Sequence, residues 1–170
     1  MIQPWLQKTD SVIEIGSGPG SVLREFRRAG FNIEGLDIID GSYASDLRPT
    51  VYNGERMPFQ DGAYDTALLL TVLHHTHDPD AIINEAKRIA RRVIIIEDVF
   101  NTAWQRKYTK ITDSITNLEF FGHPHTNRSD DEWRETFDRL GLSLVHGEVH
   151  RLASLFLQSV YVLEVGERSN

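Results

Sequence analysis

Three kinds of residue in this sequence stand where they could do chemistry: a run of glycines, two acids at apolar segments, and two groups of histidines. VIEIGSGPGSV, over 12–22, puts Gly16, Gly18 and Gly20 directly after an apolar stretch and just before a helical one. Glycines at such a turn let a ligand approach the backbone with no Cβ in the way. The helix start that follows offers unpaired N–H groups and a positive dipole end. The spacing is G-x-G-x-G with Pro19 inside it, unlike the G-x-G-x-x-G of a dinucleotide fingerprint. Glu14 lies within the apolar stretch, where a carboxylate is costly unless a cation or a hydrogen-bond donor satisfies it. Asp37 closes the next apolar stretch, a place from which a carboxylate can accept from both hydroxyls of a ribose. The pair calls for a nucleoside whose far end is cationic rather than a diphosphate.

These residues need a scaffold, and the sequence supplies strands and helices in alternation. Strands are expected over 11–16, 32–37, 50–53, 63–71 and 93–97, with two more at 142–150 and 155–165. Helices are expected over 21–29, stopped by Gly30, and over 79–91, with Asp78 as N-cap and Pro79 at the first helical position. Ser129-Asp130-Asp131-Glu132 is a capping box opening a third helix that Gly141 ends. The order implies an α/β fold: a Rossmann-like three-layer sandwich on a mostly parallel sheet with an antiparallel C-terminal strand.

With these segments in place the sequence resembles the class I S-adenosylmethionine-dependent methyltransferases, in particular the small-molecule branch of the ubiquinone-biosynthesis type. VIEIGSGPG matches the family's first motif, GLDI its second-strand acid, and NGERMPFQDGAYDTALLLTVLHHTHDP the stretch that ends near Leu-x-His. The resemblance implies that S-adenosylmethionine is the cofactor and S-adenosylhomocysteine the product. Glu14 and Gly16 would hold the methionine portion, and Gly18, with Ser17 and Gly20 of the same turn, would pack against the cofactor. Asp37 would bind the ribose, Ile38 one adenine face, Asn53 and Gly54 the adenine edge, and Thr71 the sulfonium end. Asn53 stands where the family usually has Asp, and RIARRVIII lacks the usual Lys-Pro-Gly-Gly, so that connection should be tighter. About 10 residues precede the first strand, which implies a single domain over 1–170 with a shortened N-terminal lid.

Methyl transfer to a hydroxyl wants a base that titrates near neutrality, and histidine is the usual choice. His74, His75 and His77 follow the fourth strand, and His123 and His125 lie in FGHPHTNR. His75 matches the Leu-x-His position and is the first candidate, with His123 and His125 next; any one of them could instead be a structural hydrogen-bonding histidine. Glu97 and Asp98, ending the fifth strand, are secondary candidates. HHTHD with HPH also offers metal ligands, but Asp78 is explained as a helix cap and no ligand pair falls at i, i+4 on a helix, so no metal is expected. Trp104, Tyr108, Phe120 and Phe121 are expected to roof an acceptor pocket or to pack a helix on the sheet.

The bulk numbers narrow the remaining choices. The 170 residues are 40% hydrophobic and 25% charged, ordinary for a folded domain. A net charge of -7 argues against nucleic acid as partner, and clusters such as Arg27–Arg28 read as solvated helix faces. There is no cysteine, no secretion signal and no membrane span, so the expectation is a cytoplasmic protein acting on a small molecule, with a homodimer one assembly open to it. Two alternatives stand beside the enzyme. One is a cofactor-binding but inactive regulatory module, suggested by the short N-terminus; the other is an NAD-dependent oxidoreductase, disfavoured by Glu14 and the glycine spacing.

Overall fold

A computed structural model describes residues 1–100, 128–152 and 156–166. Seven strands form one sheet: β1 Ser11–Ile15, β2 Asn32–Asp37, β3 Thr50–Val51, β4 Tyr64–Leu70, β5 Ala90–Val99, β6 Leu142–Leu152 and β7 Phe156–Val165. Their order is β3-β2-β1-β4-β5-β7-β6. The first five run parallel, and β7 inserts antiparallel between β5 and β6. The chain winds outward from β1 to β3 and then returns to β4 on the other side of β1. That reversal makes the gap beyond the carboxyl ends of β1 and β4 the place where open α/β sheets bind ligands.

Helices cover both faces, giving the expected three layers. On one face α1, Ser21–Arg28, buries Leu23 together with Ile2 and Leu6 against Val12, Leu68 and Ile94. On the other, α2, Pro79–Ile89, and α3, Asp130–Arg139, bury Ile83, Ala86, Ile89, Trp133 and Phe137 against Ile13, Leu69 and Ile95. The central strands are apolar on both faces because both faces are covered. The capping residues act as the sequence implies. Asp78 accepts from the Ala81 N–H at 3.0 Å, and Ser129 and Glu132 bond each other's backbone N–H groups at 3.2 and 2.7 Å.

The clearest departure is at the α2–β5 junction. The helix ends at Ile89 rather than Arg91, and β5 starts at once with Ala90, already extended at φ -130° and ψ 157°. Ala90 pairs with Tyr64 and Arg92 with Thr66, and the Arg92 guanidinium donates to the Trp5 carbonyl at 3.0 Å. Sheet pairing therefore takes over from the helix with no connecting loop. The strand also runs on to Val99, past the expected Glu97, because β7 pairs along it as far as Leu157. β3 is shorter than expected, stopping at Val51.

Candidate functional site

The carboxyl ends of β1, β2, β3 and β4 open on one cleft of about 770 Å³. Its floor is the loop after β1. Gly16 and Gly18 take φ of 76° and 49°, and Gly20, at 84°, is the N-cap from which α1 starts. A Cβ on Gly16 would lie 2.3 Å from Val72 Cγ2, so glycine there lets the first loop press against the loop after β4. A Cβ on Gly18 would meet no protein atom within 4 Å; the space before it is open. Gly20 faces away, and its missing Cβ makes room for Leu47. Of the candidate residues on β1 and in these two loops, Glu14, Gly16, Ser17, Gly18, Thr71 and His75 line the cleft, whereas Gly20 is not part of its wall.

Asp37, at the end of β2, ties the second strand to this loop. Its Oδ2 accepts the Gly18 N–H at 2.8 Å and its Oδ1 accepts the Ile38 N–H at 2.7 Å. Ile38 borders the cleft yet is 59% exposed, an apolar side chain left without a protein cover. Gly54 also borders the cleft. Asn53 does not: its amide is turned to Glu55, donating to that carboxylate and accepting its N–H, both at 3.1 Å. An adenine-edge contact by the Asn53 side chain would first have to give up that closed turn.

Glu14 is the electrostatic centre of the site. It is 3% exposed, and among the described residues its Oε2 has no hydrogen-bond partner. Burial, and secondarily the charge of Asp37, push its carboxyl up to about 8. A cationic ligand group placed there would satisfy both the oxygen and the charge, and this is the observation that tests the fit of a methionine ammonium. The Ser17 hydroxyl is a second buried group without a partner among the described residues.

The β4 side of the cleft carries a strained residue. Thr71 is the one non-glycine among the described residues with positive φ, 56°, in a region that β-branched side chains rarely enter. Its N–H is held by the Ile96 carbonyl at 2.7 Å and its hydroxyl donates to the Leu70 carbonyl at 2.7 Å. A 3₁₀ turn over Leu73–His75 follows and brings His75 to the cleft, with His77 and Asp78 on the wall beyond it. His74 does not line the cleft: it is 5% exposed, with Nδ1 2.6 Å from Oε2 of the fully buried Glu97. His123 and His125, like Trp104, Tyr108, Phe120 and Phe121, lie outside the described residues.

Some wall residues have no signal in the sequence. Val72 matters because Gly16 lets it in, a pairing visible only once the two loops are side by side. Tyr52 lines the cleft half-buried, its hydroxyl pushed above the ordinary tyrosine range by burial and then by the charges of Asp37 and Glu85. The aromatic in VYNG, two residues before Gly54, is the one hint the sequence carries.

A sheet of this order, with its cleft at the reversal and acids ending β1 and β2, defines the class: the Rossmann-like, class I S-adenosylmethionine-dependent methyltransferases. The chain belongs to the methyltransferase-domain family, whose profile matches residues 2–147. Its fold is similar to that of a solved S-adenosylmethionine-dependent methyltransferase of Methanosarcina mazei, with a TM-score of 0.75 at 18% identity, covering 96% of this chain and 95% of that one. It is also similar to magnesium protoporphyrin IX methyltransferase of Synechocystis, solved with bound S-adenosylhomocysteine, with a TM-score of 0.63 at 20% identity over 91% and 74% of the two chains. In sequence it is 31% identical over 81 residues to the uncharacterized protein MJ1123 of Methanocaldococcus jannaschii, a match over 47% of this chain. That match spans 39% of the relative's own length.

Proposed function

We propose that this chain, acting as one methyltransferase domain, moves a methyl group from S-adenosylmethionine to a small-molecule acceptor bound beside His75. The observation that carries the reading is the buried oxygen of Glu14, without a partner among the described residues, in one cleft with an open glycine loop. When bound, the cofactor would supply a sulfonium methyl for an in-line nucleophile to take, the C–S bond breaking so that S-adenosylhomocysteine leaves as a neutral thioether. The chain's own residues bind, orient and hold protons. Glu14 accepts the ammonium of the methionine end, and Gly16, Ser17 and Gly18 let that end lie against the backbone. Asp37 takes the ribose hydroxyls, Ile38 covers one adenine face, and Gly54 borders its edge. Thr71 fixes the backbone at the sulfonium end. Holding donor and acceptor in line is the largest contribution such a site can make.

His75 takes the proton of a hydroxyl or protonated nitrogen acceptor; His123 and His125 are the next candidates for that proton. A small organic acceptor agrees with the net charge of -7, which disfavours a nucleic-acid polyanion. It also agrees with the solved neighbour that acts on magnesium protoporphyrin IX. The small-molecule branch of the ubiquinone type is proposed on the combined match of VIEIGSGPG, GLDI and the stretch from NGERMPF to the Leu-x-His position. A cysteine-free chain suits a reducing compartment, and we place the protein in the cytoplasm. Among the described residues no helix is long and apolar enough to cross a membrane.

Calorimetry with S-adenosylmethionine and S-adenosylhomocysteine, followed by a panel of small-molecule acceptors, tests the reading. Both ligands should bind, and His75→Ala should lower turnover more than cofactor affinity. Thermal stabilisation by NADH in place of S-adenosylhomocysteine would overturn it in favour of an oxidoreductase. Binding without turnover of any acceptor would favour a regulatory module.

A further inference from the structure

Glu97 is 0% exposed at the carboxyl end of β5 and both its oxygens are engaged. Oε1 accepts the Leu73 N–H at 2.7 Å, and Oε2 lies 2.6 Å from His74 Nδ1. One residue earlier, the Ile96 carbonyl holds the Thr71 N–H. The end of β5 therefore grips residues 71, 73 and 74 of the loop that delivers His75. Within the turn, His75 N–H donates to the Val72 carbonyl at 3.1 Å, and Thr76 bonds the Leu73 carbonyl through both its N–H and its hydroxyl. The His74 and His75 rings then lie with centroids 4.0 Å apart, tilted by 45°.

Stability alone does not explain a carboxylate at this spot. Burial drives its proton affinity up, against the opposing bonds from His74 and Leu73, and a well-packed apolar pair commonly serves a core as well or better. What Glu97 does that leucine cannot is hold two consecutive donors of one turn. An ionised Glu97 can only accept from Nδ1, and in that form the contact also selects which nitrogen of His74 carries the proton. The ring so fixed is the surface on which the His75 ring rests.

We propose that Glu97 is a positioning residue which, through His74 and the Leu73 N–H, sets the orientation of the His75 imidazole at the cleft. The inference rests on the reading of His75 as the group beside the acceptor, and it adds a second layer behind it. Glu97 itself is not among the residues that line the cleft.

The test uses the whole protein with isotope-labelled histidine, read by imidazole nitrogen–proton correlation spectra, alone and with saturating S-adenosylhomocysteine. In the parent protein His74 should carry its proton on Nδ1; a bare Nδ1 overturns the proposal without any variant. Glu97→Gln presents an amide to that nitrogen. It should move the His74 proton to Nε2 and displace the His75 signals, with affinity for S-adenosylhomocysteine within about twofold of the parent. His75 signals that stay fixed while His74 changes overturn it. His74→Phe keeps a ring beneath His75 but breaks the bond to Glu97, and should displace the His75 signals too; unchanged signals there also overturn it. Failure of the parent protein to bind S-adenosylhomocysteine would remove the reading of the cleft, while the tautomer of His74 would still decide this contact.

Discussion

Among the described residues two carboxylates are buried in strands of this sheet, and they are opposites. Glu14, on β1, keeps an oxygen with no partner among the described residues and opens on the cleft. Glu97, on β5, has both oxygens bonded and is closed off from water. Burial raises the proton affinity of each, but at Glu14 a second acid, Asp37, adds to the effect, whereas at Glu97 an imidazole and an N–H oppose it. A buried acid left unsatisfied is a request for a ligand; one that is satisfied is part of the frame. In the function proposed above, the cofactor end and the acceptor end of the site would divide along that line.

The largest expected effect breaks the comparison at Glu14. An acid raised in the folded state from 4.5 to about 8 favours folding while it is protonated. Its contribution is complete below the unfolded value, is lost as pH climbs through this window, and stays lost above it. Urea unfolding of the cofactor-free protein should thus weaken between about pH 5 and pH 8, by on the order of 5 kcal/mol from this group. Glu14→Gln should flatten that slope. Saturating S-adenosylmethionine should also flatten it, because an ammonium beside the carboxylate favours its ionised form, and calorimetry in buffers of different ionisation heat should show a proton released on binding. A slope identical in parent and Glu14→Gln would place the titrating group elsewhere.

Next in size is the seam where the two carboxylate regions meet. Gly16 adjoins the Glu14 strand, and Val72 precedes the Leu73 that Glu97 holds. Gly16→Ala, at φ 76° and 2.3 Å from Val72 Cγ2, should cost about 2 to 3 kcal/mol in urea melts. Gly18→Ala, at φ 49° with open space ahead, should cost about 1 kcal/mol and act mainly on cofactor affinity. Equal losses at the two positions would show that the left-handed backbone, and not the contact with Val72, sets the size of the loss.

Asp37→Ala sharpens the contrast from the ligand side. It should weaken S-adenosylmethionine more than tenfold by removing the ribose acceptor, a loss of about 1.4 kcal/mol or more. It should also lower the pKa of Glu14, since Asp37 is one of the two causes that raise it. Unchanged affinity by calorimetry would take Asp37 out of the site.

Much of this contrast is legible along the chain itself. Glu14 stands out because an ionisable residue inside VIEI has no reason to be there on packing grounds, and beside a glycine spacing unlike the dinucleotide fingerprint it favours a cationic tail over a diphosphate. The caps at Asp78 and Ser129 are local chemistry and can be read locally. Glu97 in VIIIE carries the same signal as Glu14, yet nothing along the chain tells a satisfied acid from an unsatisfied one. That depends on His74, 23 positions away and brought over by the β4–β5 pairing. The side chain of Asn53 escapes a motif reading for a similar reason: Glu55, two residues on, captures its amide. Helix propensity in 79–91 also gives way at Ala90, where ladder bonds to β4 outweigh it.

The smallest effect concerns the bend at Thr71 on the β4 side of the cleft. A β-branched residue at φ 56° carries on the order of 1 to 3 kcal/mol of strain, held in place by the bonds to Ile96 and Leu70. Glycine would release that strain, give up the hydroxyl bond, and add about 1 kcal/mol of unfolded-state entropy. These terms nearly cancel, so Thr71→Gly should leave stability within about 1 kcal/mol of the parent in urea melts. Thr71→Val keeps the branched side chain and loses the bond, so it should be the less stable of the two. If the bend serves to fix the backbone at the sulfonium end, the glycine variant should bind S-adenosylmethionine more weakly although it folds equally well. Affinity and stability falling together would instead make Thr71 one more structural member of the frame that Glu97 closes.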